Sequence, residues 1–139
     1  MPSIRYQRLA SEQLPLANKF YKSQRSPMRV GRSEQVWVAQ QAEIIAACCL
    51  KPVADGHWLT ALLVAREQRQ QGIASQLLNA LRAHSQGPIW LFCAPELLRL
   101  YQRLGFAPCP ALPAELTERL LRYQRKQPLL ALAAAQQCG

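Results

Sequence analysis

Residues 58–84 constrain the fold more than any other segment, because an apolar strand, a basic turn with one glycine and an amphipathic helix follow one another without a spacer. Trp58 to Val64 reads as the strand, and Gly72 to His84 carries Ala74, Leu77, Leu78 and Leu81 at helical spacing. The first amides of such a helix have no intrahelical partner, and its aligned peptide dipoles make that end attractive to anions. Gly72 lets a ligand approach the backbone closely, Ala74 keeps the opening turn small, and Arg69 adds a permanent positive charge. The segment therefore predicts a phosphate cradle. It is not a P-loop, which needs Lys and then Ser or Thr after its last glycine, and it lacks the three glycines of the dinucleotide fingerprint.

The remaining pattern alternates strands and helices. Ile4 to Leu9 predicts a first strand, followed by a helix opening near Ser11 with Leu14, Ala17 and Tyr21 on one face. Val36 to Gln40 and Ile44 to Leu50 read as paired strands around a polar turn at 41–43, and Asp55-Gly56 is a turn signal ahead of Trp58. Ile89 to Cys93 is a short apolar strand, and Pro95 suits the first position of a helix carrying Leu97, Leu100, Tyr101 and Leu104. A helix from Ala114 to Arg125 and a last strand from Leu129 to Leu132 follow, with fraying expected in the tail from Ala131.

At 139 residues the chain is sized for one domain, taken as 1–139. No apolar run approaches the ~20 residues of a membrane span, and the N-terminus has no signal-peptide core, so the expected setting is cytoplasmic. The five cysteines, Cys48, Cys49, Cys93, Cys109 and Cys138, show neither CxxC nor Cys/His spacing, so reduced thiols and no metal are expected. The formal charge is +9, with Lys19, Lys22, Arg25, Arg29 and Arg32 in a stretch free of acids between Glu12 and Glu34. That stretch reads either as a solvated face or as a recruiting surface for an acidic partner. Nucleic-acid binding rests on charge alone, without a motif to carry it.

Arg69-Gln70-Gln71-Gly72-Ile73-Ala74 resembles the acyl-CoA signature of the GNAT superfamily of N-acyltransferases: Arg or Gln, two variable residues, Gly, any residue, then Gly or Ala. A second block, Tyr101-Gln102-Arg103-Leu104-Gly105-Phe106, is similar to the family's later motif, and the resemblance covers roughly 58–106. It implies a mixed, mostly antiparallel α/β sheet, splayed between strands 4 and 5 and flanked by helices. It further implies that the backbone of Leu62, Leu63 and Val64 meets the pantetheine arm of acetyl-CoA. The amides of Arg69, Gln70, Gln71, Gly72, Ile73, Ala74 and Ser75 would hold the pyrophosphate. Tyr101 is implied as the general acid that protonates the departing thiolate, a role suited to a phenol with an ordinary pKa of about 10.

Two departures from the family are visible. The strand position that often carries a base Glu falls near Trp58, and 58–64 contains no carboxylate, which leaves the base unassigned. His57 has a suitable ordinary pKa, but strand alternation places it on the face opposite Trp58 and Thr60. Ala94 stands where many members have Asn. The expected activity is transfer of an acetyl group to an amine on a small molecule or protein, without metal. The alternative is a CoA-binding regulatory module that has lost catalysis. Homodimerisation through a strand edge stays open.

Overall fold

The computed structural model describes residues 3–31 and 33–134. Among them run β1 (Arg5–Arg8), α1 (Leu14–Ser23), β2 (Gln35–Gln40), β3 (Ile44–Val53) and β4 (Gly56–Val64), then α2 (Ile73–Ala83) and β5 (Ile89–Cys93). α3 (Leu98–Arg103), β6 (Phe106–Pro108), α4 (Ala114–Gln124) and β7 (Leu130–Ala134) complete the order. Short 3-10 turns at Ser11–Gln13, Arg66–Gln68 and Pro95–Leu97 lead in to α1, bridge β4 to α2 and lead in to α3. The strands of the described residues form one sheet in the order β1-β2-β3-β4-β5-β7-β6. β4 and β5 are the parallel pair, in register at His57 with Ile89 and Trp58 with Trp90. The pairs β1 with β2, β2 with β3, β5 with β7 and β6 with β7 are antiparallel. This is the mixed α/β sheet expected from the sequence.

The chain divides into two compact units, 1–51 with 59–85, and 52–58 with 86–139. In the first, α1 turns Ala17, Phe20 and Tyr21 onto Val36, Val38, Ala47 and Cys49, with Ala61 and Leu63 of β4 packed against the same cluster. Pro15 sits in the first turn of α1, where a missing N–H costs nothing. α2 buries Leu77, Leu78 and Leu81 as read from the sequence, with Ile73 rather than the half-buried Ala74 opening the stripe, and contacts β1 and β2. In the second unit Val53, Trp58, Trp90 and Leu116 form the core, with Phe92, Cys109 and Leu112 against them.

Two expectations are corrected. The turn before β4 is Ala54-Asp55, with Ala54 left-handed at φ 50°, and Gly56 is already strand. Gly56 is needed for closeness, since a Cβ there would lie 2.1 Å from the Pro88 carbonyl oxygen and 2.9 Å from the Trp90 ring. The last strand reaches Ala134 because β7 is paired on both sides, to β5 and β6, so Ala131–Ala134 do not fray. The rest of that tail lies outside the described residues.

Candidate active site

The loop leaving β4 is built from its backbone outward. The Ala65 N–H donates to the Ile45 carbonyl at 2.8 Å, and the Arg66 N–H donates to Gln24 Oε1 at 3.0 Å. The Gln68 N–H closes a turn on the Ala65 carbonyl at 2.8 Å, and Arg69 Nε reaches back to the Val64 carbonyl at 3.1 Å. These bonds fix the loop before any ligand is considered. Gln24 carries no chemical signature of its own and sits 42 residues away in sequence, so its part was not readable there.

Past Arg69 the chain turns left-handed at Gln70, φ 65°, and again at Gly72, φ 75°. Gly72 is the N-cap of α2 and makes no side-chain cap, so the opening amides of Ile73, Ala74 and Ser75 lack that partner. A Cβ on Gly72 would meet no protein atom within 4 Å. Arg69, Gln70, Gln71 and Gly72 are exposed, Ile73 is buried, and Ala74 and Ser75 are half-buried. The structure thus joins an exposed guanidinium, a doubly left-handed turn and an uncapped helix start, a donor set that fits an oxygen-rich anion.

Leu62, Leu63 and Val64 are half-buried at the end of β4. Just before them Ala61 breaks the strand at φ 57°, with its carbonyl bonded to the buried Tyr21 hydroxyl at 2.7 Å. Tyr21 also lies 3.8 Å from Cys49 Sγ, and burial raises the pKa of both groups, that of Cys49 to about 12. Cys48 is likewise raised by burial and by its neighbour Cys49, which keeps these thiols protonated and inert.

Tyr101 belongs to the second unit. It is half-buried on α3, its ring edge-on to Phe106 at 6.2 Å. Gly105, at φ 95°, ends the helix with its N–H on the Gln102 carbonyl, as its place in the motif led one to expect. Trp58, at the position that lacks a carboxylate, is buried against Phe92 at 5.4 Å and covered by the Arg119 guanidinium 4.6 Å from its ring centroid. A stacked indole has no basic atom to offer. His57 is half-buried, its pKa lowered by burial, and its Nδ1 has no hydrogen-bond partner. Such an imidazole is neutral at pH 7.

Lys19, Lys22, Arg25 and Arg29 are all exposed, while Arg32 lies outside the described residues. Arg25 and Arg66 share an open depression of about 320 Å³ with Ser23, Gln24 and Glu67. Among the described residues no group of His, Cys, Asp or Glu is placed to hold a metal ion, and no helix is long and apolar enough to cross a membrane.

Comparison with solved structures returns the same fold repeatedly. ElaA of Escherichia coli superposes with a TM-score of 0.65 at 15% identity, over 96% of this chain and 99% of that one. Tetrahymena GCN5 gives 0.68 at 13% identity, covering 94% and 96%. N-acetylglutamate synthase from Neisseria gonorrhoeae, complexed with coenzyme A and N-acetyl-glutamate, gives 0.66 at 14% identity over 96% of this chain and 35% of that one. No curated protein matches in sequence. The family model described as an acetyltransferase (GNAT) domain matches residues 32–108, which include both the cradle and the Tyr101 block, and the chain belongs to that family.

Proposed function

We propose that the chain is an N-acyltransferase that moves an acetyl group from CoA to an amine by direct attack, with Tyr101 as general acid. The observation that carries the reading is the left-handed Gly72 at the uncapped start of α2, beside Arg69. Space free of protein atoms where a Cβ would point is the room a diphosphate needs there. In this reading the amides of 69–75 and the Arg69 guanidinium hold the diphosphate, and the backbone of Leu62, Leu63 and Val64 receives the pantetheine as an added strand. The thioester supplies an activated carbonyl, whose carbon exchanges its bond to sulfur for one to nitrogen. A β4 N–H polarises the carbonyl oxygen, the Tyr101 phenol hands its proton to the departing sulfur, and the proton that nitrogen sheds on becoming an amide passes to water, from which the phenolate is reprotonated. The amine must arrive unprotonated, and no β4 carboxylate is available to strip it. Arg25 and Arg66 beside the loop support an acidic acceptor, small molecule or protein, and the setting is taken as cytoplasmic.

A second reading, a CoA-binding module without turnover, is favoured by the covered Trp58 at the base position. One experiment orders the two. The thermal midpoint is measured with and without saturating acetyl-CoA for the natural chain and for Gly72→Glu. Ligand at a hundred times its Kd stabilises by about 2.7 kcal/mol, and the rise is expected in the natural chain alone. Acceptor-dependent release of CoA that collapses in Tyr101→Phe then marks the enzyme. Binding without release marks the module, and no thermal rise removes both.

A further inference from the structure

Ala61 is a non-glycine residue held left-handed inside β4, a conformation that L side chains avoid unless their surroundings enforce it. The enforcing contact is specific. Tyr21 is fully buried on α1, and its hydroxyl donates to the Ala61 carbonyl at 2.7 Å. A carbonyl oxygen only accepts, so the phenol proton is committed to it. Cys49 Sγ lies 3.8 Å from the same phenol oxygen, and its protonated thiol also interacts with the Glu34 carboxylate. Every polar atom of this buried set has a partner, and the set spans α1, β3 and β4. A left-handed residue in a strand turns the peptide groups after it relative to those before it, and the residues after Ala61 are Leu62, Leu63 and Val64.

We propose that Tyr21 is a positioning residue: through its bond to the Ala61 carbonyl it holds the break in β4 and so sets how Leu62 to Val64 present their backbone groups to the pantetheine of CoA. This rests on the acyl-CoA reading above. Apart from the Arg69 bond to the Val64 carbonyl, the loop leading to the 69–75 cradle is held by bonds of Ala65 to Ile45, Arg66 to Gln24 and Gln68 to Ala65 that do not pass through Ala61.

The test is Tyr21→Phe, which deletes one oxygen and keeps the ring. Acetyl-CoA affinity, read by calorimetry, is expected to fall tenfold or more, while 3′-phospho-ADP, which ends at the diphosphate, stays within twofold. Adding Ala61→Gly should restore acetyl-CoA to within about threefold, because glycine takes positive φ without support. A merely structural loss in the core would not be repaired at position 61. The double variant also carries the test if the single one folds poorly. Unchanged acetyl-CoA affinity, equal losses for both ligands, or no rescue by glycine overturns the proposal. Should the natural chain bind no acetyl-CoA, the acyltransferase reading falls. Hydrogen exchange at the Leu62 and Leu63 amides then decides separately whether Tyr21 holds the break: faster exchange in Tyr21→Phe supports it, and unchanged exchange overturns it.

Discussion

Gly56 and Gly72 occur at opposite ends of the β4-to-α2 segment for different reasons, and alanine at each should separate them. At Gly72 the added Cβ touches nothing, so the cost is the left-handed φ of 75° alone, roughly 1–2 kcal/mol. Alanine also stiffens the unfolded chain, which returns about 0.4–1 kcal/mol, so a net loss near ~1 kcal/mol is expected. At Gly56 the backbone carries no positive φ, but the Cβ would stand 2.1 Å from the Pro88 oxygen, which also accepts the His57 N–H at 2.9 Å. Overpacking at about 1–3 kcal/mol and a weakened hydrogen bond at about 0.5–1.5 kcal/mol, less the same unfolded-chain gain, set the loss near ~2 kcal/mol. Urea unfolding with unchanged slope reads both values, and thermal midpoints should fall by roughly 3–5 °C per kcal/mol for a chain of this size. Gly72→Ala, although mild for stability, should abolish most of the acetyl-CoA-induced rise, whereas Gly56→Ala should keep it in whatever fraction remains folded. Equal costs, or a reversed order, would refute the distinction between a conformational and a packing glycine.

Arg119→Ala should cost about 1 kcal/mol, from the lost stacking on Trp58, and shift tryptophan emission. Removal of its 4.0 Å pair with Glu115 should add little, so Glu115→Gln is expected to be nearly silent in the same melts. His57 has a folded pKa below its ordinary 6.5, so the unfolded chain binds its proton first and stability falls as pH drops below about 6.5. His57→Asn should flatten that part of a midpoint-against-pH curve between pH 7.5 and 5, and an unchanged slope would exclude His57 as its source. In a Cys138→Ser background, a thiol reagent should label Cys109 first. Cys48, Cys49 and Cys93 are buried, with thiols pushed up, and should react only on unfolding.

Elements announced by apolar periodicity were legible. The three leucines of the α2 stripe, the Ile89–Cys93 strand and the Pro95 helix start lie where the pattern put them, because burial of one face leaves a period in the sequence. Chain reversals were less legible. The turn sits at Ala54-Asp55 with an alanine left-handed, and the neighbouring glycine answers a steric demand from Pro88, a partner that no local pattern contains. β7 extends to Ala134 for a similar reason, since pairing on both flanks orders an alanine run that by composition alone reads as a frayed end.

The candidate site divides along the same line. Arg69, Gly72 and Ala74 could be nominated from the sequence because in the proposed cradle their side chains, or the lack of one, would be the chemistry. What holds the loop and the strand before it was not readable, because Gln24 and Ile45 act on backbone atoms of the loop, and Tyr21 on the Ala61 carbonyl of β4, from distant parts of the chain. Short of proline, which deletes an N–H, a side-chain change leaves the backbone groups in place, so beyond local glycines such as Gly72 their positions depend on such distant partners. The effect of Tyr21→Phe on the Leu62 and Leu63 amides is therefore the measurement that reaches the chemistry of β4 most directly. Tyr101→Phe tests a proposed proton donor, and Tyr21→Phe tests the backbone proposed to receive CoA.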